Sequence, residues 1–351
     1  MNFCYRFPVV KGVQAGRQYF IAMVPLKMLL KLFPTEEEYV LPEHRAQRKL
    51  NEGRIPEIKD YILNNQDSYV FSALAASIDG VYKFIAVDQT DVGILEVNMD
   101  ARFLINDGQH RKAAIVSAIK EEPELGDETI SVVFYEDLGL SRSQQMFTDL
   151  NKHAVKTSNS LSELYDSRNI DAVATRRIIS EIPFLEKYVD KENDYIGINS
   201  SALFTLKVFS SANKKILGKR ECNSELETFQ LEYWKAVVEH MIPWQELEGR
   251  SITKKDLREQ YIAVQAVIIK ALGRVGNSLL ENGNDIDKTV IKLENVNWRR
   301  SAAIWRDRVI SREGKIQTSN TAIILTANVI KRILGLKLSE DDEYAEGKIK
   351  K

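Results

Sequence analysis

Phe103-Leu104-Ile105-Asn106-Asp107-Gly108-Gln109-His110-Arg111-Lys112-Ala113-Ala114 sets a short apolar strand directly against the start of a helix. Three apolar residues run into an Asn-Asp-Gly turn, and good helix formers follow at once. Such a junction points several backbone N–H groups, and the positive end of the helix dipole, at one spot where an anion fits. Gly108 has no Cβ, so the backbone can approach a ligand closely. Arg111 can fork onto a phosphate. His110 titrates near neutral pH and can donate or accept a proton. Asp107 can cap the helix, hold a metal or orient an attacking water. An ordinary capped turn fits the same letters. With one glycine and no GxGxxG or GxxxxGK[ST], the two readings stay open.

Outward from this junction, the chain of 351 residues has room for about two domains at roughly 150 residues each. Residues 4–10 and 17–24 are short apolar runs around a glycine-containing turn and predict a hairpin. Residues 25–33 have helical spacing, and 43–63 carry two short helical patterns split near Gly53. Residues 69–78 and 82–87 flank Asp79-Gly80, a hairpin signal. Further strands are expected over 93–99, 102–105 and 129–135, with helices over 108–121 and 141–150. From about residue 155 the texture changes. Helical periodicity dominates 161–182, 200–216, 225–240, 255–280 and 319–334, and the polar run 152–159 marks the boundary. The expected class is α+β: a mixed N-terminal domain over 1–155, a mostly α-helical C-terminal domain over 156–338, and a flexible tail over 339–351 that has almost no apolar content.

Composition narrows the function. The apolar fraction of 44% fills real cores, and 28% charged residues with a net charge of −1 argue against global disorder. No run approaches the ~18 apolar residues that span a bilayer. Lys27 and Lys31 interrupt the apolar run 19–33, and no small-residue cleavage site follows, so no signal peptide is expected. Cys4 and Cys222 are the two cysteines; they form no disulfide framework and no CxxC, which points to a reducing, cytoplasmic setting. Cys4, on an apolar strand, reads as a small buried hydrophobe. Cys222 reads as an incidental thiol, with Lys219 and Arg220 near enough in sequence to lower its pKa. His44, His153 and His240 are too dispersed for a metal motif, and no GxSxG or Cys–His dyad appears.

The charge is locally uneven. Residues 1–35 carry Arg6, Lys11, Arg17, Lys27 and Lys31 without an acid, and 207–220 carry Lys207, Lys214, Lys215, Lys219 and Arg220 without an acid. Residues 296–332 carry Arg299, Arg300, Arg306, Arg308, Arg312, Lys315, Lys331 and Arg332 against Asp307 and Glu313. Such clusters neutralise phosphates and release counterions, although a solvated face is the plain alternative. Lys214, Lys215, Lys219, Arg220, Arg299, Arg300, Arg306, Arg308 and Arg312 are the candidate DNA contacts. Trp298 and Trp305, seven apart, are expected to pack in the core rather than stack on bases. No recognition helix can be named.

Asp107-Gly108-Gln109-His110-Arg111, with Ala113 and Ala114 close behind, resembles the signature of the DGQHR-domain family, in its DNA sulfur-modification (phosphorothioation) branch. Three further blocks are similar: Gly12-Val13-Gln14-Ala15-Gly16 before Tyr19-Phe20-Ile21-Ala22; Gln47-Arg48-Lys49-Leu50-Asn51 with Arg54-Ile55-Pro56-Glu57-Ile58 and Tyr61-Ile62; and Phe147-Thr148-Asp149-Leu150-Asn151-Lys152. These cover roughly residues 1–160; the helical remainder matches only in length and character. The resemblance implies a ParB/sulfiredoxin-like N-terminal domain, in which a Gly-containing turn ending in His-Arg holds nucleotide phosphates. Where the sulfiredoxin pattern has Cys, this chain has Gln109, neither nucleophile nor base, so sulfur-reductase chemistry is not expected. The phosphate role carries over to Gly108, His110 and Arg111. The implied cofactor is ATP at Asp107 to Arg111, with Arg48 and Asn151 in reach, a divalent metal such as Mg beside it, and no protein metal site. The implied function is a DNA-binding repressor of a phosphorothioation gene cluster. Its partners would be double-stranded promoter DNA, other phosphorothioation proteins and a second copy of the chain, with no membrane. Neither a persulfide-forming Cys site nor Fe–S spacing is visible. The alternative is a ParB-like nuclease or nucleotide phosphohydrolase, with weak ATPase or nicking activity, in which Asp107 and His110 are catalytic. A third reading is a structural partner in a modification or restriction complex.

Overall fold

The computed structural model describes residues 3–34, 51–136, 145–146, 148–150, 157–197 and 200–349. The chain forms two compact units, Met1–Val155 and Lys156–Lys351. The first is mixed α/β. Its elements are β1 (Cys4–Gln14), β2 (Arg17–Pro25), α1 (Leu29–Leu32), α2 (Ile55–Leu63), β3 (Leu74–Asp79), β4 (Tyr82–Ala86), β5 (Val92–Asn98), β6 (Arg102–Asp107), α3 (Gln109–Glu121) and β7 (Thr129–Glu136). The strands make one sheet in the order β4-β5-β1-β2-β7-β3-β6. Every pair is antiparallel except β3–β7.

Period-two alternation builds the core of this sheet. Phe7 and Val9, Phe20, Ala22 and Val24, Leu95 and Val97, and Ile130, Val132 and Phe134 all turn to one face and are buried there. Leu29 and Leu32 of α1, Ile62 of α2, and Ile115 and Ala118 of α3 join the same cluster. Ala15 and Gly16, both at positive φ, close the β1–β2 hairpin between Gln14 and Arg17, the twist that a two-residue turn requires.

The Asp79-Gly80 hairpin does not form. β3 pairs with β6 and β7, and β4 pairs with β5 at the far edge of the sheet order. Leu74 to Ile78 are all buried, which suits an inner strand, whereas β4 leaves Lys83, Ile85 and Ala86 exposed, which suits an edge. Burial of the whole strand outweighs the turn letters. Gly80, at φ +146, instead makes a corner against Ala101, where a Cβ would sit 2.6 Å from the Ala101 Cβ.

The second unit is mainly helical. It contains α4 (Asn159–Tyr165), α5 (Ile170–Glu181), α6 (Pro183–Tyr188), the short parallel pair β8 (Val189–Asp190) and β9 (Phe204–Thr205), α7 (Leu206–Leu217), α8 (Ser224–His240), α9 (Ile242–Glu248), α10 (Lys254–Gln260), α11 (Ala266–Asn282), α12 (Ile286–Val290), α13 (Asn320–Leu334) and α14 (Glu340–Ile349). Two expected long helices are broken: the Asn169 cap restarts the first as α5, and extended backbone at Tyr261 and Gln265 separates α10, which opens on a reciprocal Thr253–Asp256 box, from α11. α11 is buried almost all round. Gly273 lets it approach α7 so closely that a Cβ would lie 2.5 Å from the Ala212 carbonyl oxygen. Asn213 on α7 donates to Thr175 (2.9 Å) and accepts from the Trp234 indole (2.7 Å), so this buried amide ties α5, α7 and α8 together. Trp298 and Trp305 are buried and stacked at 5.8 Å, but on a loop and a single 3-10 turn rather than on one helix.

One cysteine departs from expectation and the other fits it. Cys4 is exposed, because it begins β1 outside the core alternation. Cys222 is buried; burial, then the Asp171 and Glu227 carboxylates, push its thiol pKa up, so Lys219 and Arg220 do not activate it.

The segment read as a flexible tail is the helix α14. Sequence apolarity gives no hint of this because ion pairs hold it. Asp342 accepts from Arg274 (2.7 Å) and Lys331 (2.6 Å), and Glu346 accepts from Arg308 (2.6 and 2.9 Å) and Arg332 (3.1 Å). Burial opposes the Asp342 carboxylate, yet Lys331 and Arg274 outweigh it and hold its pKa down at about 2. The Arg308 hydrogen bond leads in holding Glu346 at about 2. A carboxylate with a depressed folded pKa stabilises the docked state above its ordinary pKa, about 4, and loses that contribution as pH falls toward its folded value. Amide-exchange protection along α14, taken relative to unstructured peptide at the same pH, is therefore expected to fall as pH drops from about 4 to about 2, before that of α11, with no change in protection between neutral pH and about 5. Equal acid sensitivity of both helices would contradict this.

Candidate functional site

The β6–α3 junction gathers the central residues. β6 carries a bulge: Ala75 pairs with Asp107 and Ala76 with Ile105, so Asn106 is the extra residue. Bulges re-aim side chains next to functional sites. Asn106 is fully buried; its Oδ1 accepts from the Ser77 hydroxyl at 2.8 Å, and its Nδ2 has no hydrogen-bond partner among the described residues. Gly108 follows at φ +102. A Cβ there would lie 2.3 Å from Leu74 Cδ2, so both the conformation and the packing require glycine.

α3 then starts without a side-chain cap and with no acid in its first turn. The N–H groups of Gln109, His110 and Arg111 open the helix there, together with the positive end of its dipole. Arg111 turns back: its guanidinium donates to the Ser72 carbonyl (2.6 Å), the Ser72 hydroxyl (2.5 Å), the Ala73 carbonyl (2.9 Å) and the Asp107 carboxylate (2.6 Å). It thus clamps the turn to the residues entering β3. His110 accepts the Asn51 N–H on Nε2 at 3.0 Å, which fixes a neutral ring with its proton on Nδ1. One turn in, Lys112 is half-buried, makes no ion pair among the described residues, and burial lowers its pKa.

Asp107, Gly108, Gln109, His110 and Arg111 are therefore brought together. Arg48 and Asn151, with Arg45, His44, Lys152 and His153, lie outside the described residues. Sequence reasoning missed Asn106, Ser72 and Lys112. A buried Asn between Ile105 and Asp107 gives no signal in the letters alone, because its burial comes from the bulge.

The basic residues divide sharply. Lys214 pairs with Glu163 (3.6 Å) and Arg220 with Glu281 (2.6 Å). Lys219 and Arg306 are exposed. Arg299 lies over the Tyr261 ring at 5.1 Å, and Arg300 donates to the Gly314 carbonyl at 2.7 Å. Arg312 is 89% exposed beside Asp307. Arg308 is enclosed by Glu346 and the Leu325 carbonyl. Lys215 faces Arg274 and Lys270; burial first, then these two cations, lower its pKa.

A mixed α/β unit with an uncapped helix start at Gly108, followed by a helical unit, is the class of protein these features define. The family model for DndB, described as DNA-sulfur modification-associated, matches residues 7–337, and the chain belongs to that family. The chain is also 24% identical over 185 residues to an uncharacterized protein, YopQ, derived from the SPbeta prophage of Bacillus subtilis (strain 168). That match covers 51% of this chain and 39% of the relative. No solved structure matches. Among the described residues no helix is long and apolar enough to cross a membrane.

Arg111 has a fold role that charge alone does not fill. Arg111→Ala is expected to lower stability to urea by about 1–3 kcal/mol by leaving carbonyl and carboxylate acceptors unpaired, and Arg111→Lys to recover less than half of that because it lacks the fork. Full recovery by lysine would show that only the charge matters.

Proposed function

We propose that this chain is a DNA-binding transcriptional repressor of a phosphorothioation gene cluster, and that ATP at the Gly108 turn tunes its grip on double-stranded promoter DNA. The observation that carries this reading is the start of α3: a left-handed glycine, no side-chain cap and no acid in the first turn. Phosphate oxygens suit such a place, since the positive end of the helix dipole favours them and the glycine lets them come close. Arg111 adds positive charge while keeping the turn in shape, and Lys112 supplies a second cation. Asn106 places an unpartnered donor immediately upstream. A Mg ion would arrive on the phosphates, with Asp107, whose side chain is 41% exposed, as the nearest carboxylate in sequence. Among the described residues no group of three or more His, Cys, Asp or Glu forms a metal site of its own. A ParB/sulfiredoxin-like arrangement of the first unit, other phosphorothioation proteins as partners and a homo-oligomer belong to the same proposal.

A nuclease or phosphohydrolase would need Asp107 and His110 to give up the Arg111 and Asn51 contacts that now engage them. In the repressor reading those contacts stay, and nucleotide acts by linkage between two sites.

The test is a DNA-binding titration with and without ATP. In the wild type ATP is expected to shift promoter affinity by about fivefold or more. Lys112→Ala and Gly108→Ala should lose that shift while binding DNA without ATP. Equal retardation of promoter and scrambled DNA would sink the repressor reading, and an ATP shift retained in both variants would remove the nucleotide from this turn.

A further inference from the structure

α14 is attached by charge. Of its sequence, Glu340-Asp341-Asp342-Glu343-Tyr344-Ala345-Glu346-Gly347-Lys348-Ile349, Ala345 is the one apolar residue described as buried, and Tyr344 is exposed. Its grip comes from Asp342 and Glu346, four residues apart and so on one side of the helix. Asp342 bridges Arg274 of α11 and Lys331 of α13. Glu346 takes the two-pronged fork of Arg308 and also meets Arg332 and Asn328.

The surface under α14 has more positive charge than these carboxylates balance. Burial first, then Arg274 and Lys270 of α11, disfavour the charged form of Lys215 of α7, and neither lysine has an ion pair among the described residues. Burial chiefly disfavours the charge on Lys331, Asp342 opposes that, and Arg274, held by the same carboxylate, adds a smaller push in the direction of burial. Lys215, Lys270, Arg274, Arg308, Lys331 and Arg332 thus share one face, and α14 brings Asp342 and Glu346 to it. Clustered like charges raise the free energy of a fold unless an anion gathers them.

We propose that this face is a binding surface for the phosphate backbone of double-stranded DNA, and that α14 covers it as an internal stand-in whose two carboxylates occupy places that phosphates take when the helix is released. The inference rests on the DNA-binding reading above. The chemistry of exchange favours it. An arginine fork accepts carboxylate or phosphate oxygens in the same way, so a polyanion can replace α14 without leaving a cation unpaired. A helix anchored by a broad apolar face would not be displaced in this manner. While α14 is docked, Lys331 and Arg308 expose only 4% and 17% of their side chains, so they reach no external phosphate.

Two forms of the protein test this: a chain ended after Ser339, and the full chain with Asp342→Asn and Glu346→Gln, which retain hydrogen-bonding side chains of similar size. Each is compared with the intact chain on duplex DNA over a range of salt, with circular dichroism confirming that the remaining helices persist. Releasing Arg274, Arg308, Lys331 and Arg332 should tighten binding about tenfold or more at low salt and steepen the log–log salt slope by about three to four. Adding Lys270→Glu to either form should cancel most of the gain, and excess peptide of sequence 339–349 should compete with DNA. If both forms bind with the affinity and slope of the intact chain, the latch is overturned while the DNA reading stands. If no form binds DNA, both readings fall.

Discussion

The Arg111 guanidinium is the fixed point of the first unit. Four oxygens from Ser72, Ala73 and Asp107 surround it, and they belong to two different stretches of chain. The residues entering β3, the end of β6 and the first turn of α3 are held in one geometry by a single planar group. That clamp lets Leu74 pack onto Gly108 with no room for a Cβ. It also brings the open end of α3 beside the bulged Asn106. Planarity matters here, because a flexible ammonium cannot address carbonyls and a carboxylate along fixed directions at once. The turn is therefore rigid before any ligand arrives, and preorganised donors need no rearrangement to meet a developing or bound charge.

The elements legible in the sequence were those in which local pattern and burial agree. The β1–β2 hairpin has alternating apolar residues and a turn with two positive φ values, so it formed much as expected. α8 and α13 have caps that match their periodicity, at Asn223 and Ser319. The Gly108 turn was readable because glycine, strand and helix follow one another within a few residues. Failures arose where a distant partner decides. Asp79-Gly80 has hairpin chemistry, yet β3 is drawn between β6 and β7 by the burial of five consecutive residues. Asn106 became a buried donor only through a register shift against β3. α14 looked unstructured because hydropathy does not register carboxylates that meet arginines and lysines far away in sequence.

Arg308 shows how one residue type divides into different uses. In sequence it stands with Arg299, Arg300, Arg306 and Arg312 as one basic run. In the structure Arg312 is almost wholly exposed, whereas Arg308 sits against Glu346 with most of its side chain buried. An exposed guanidinium contributes little to stability, since water screens it and holding it still costs side-chain entropy. An enclosed fork carries a desolvation cost that offsets much of its attraction, but it loses far more if its partner is removed. Counting positive residues in a window therefore cannot say which of them face a phosphate. The partner oxygen decides.

A net charge of −1 is the sum of these separate arrangements. Many of the positive side chains meet an acid within the fold, and the pairs at Lys214, Arg220 and Arg308 remove much of the field that the sequence alone would suggest. Part of what remains lies where Lys215 meets Arg274 and Lys270. Such a place is neither a solvated surface nor a satisfied core. Lys215 is partly buried, and burial, then the two neighbouring cations, disfavour its charge. A balancing anion reaches this group through Arg274, whose partner Asp342 sits on a helix with little apolar anchorage. On the proposed reading, the same ion pairs stabilise the free protein and set the threshold that a DNA backbone must exceed to displace them.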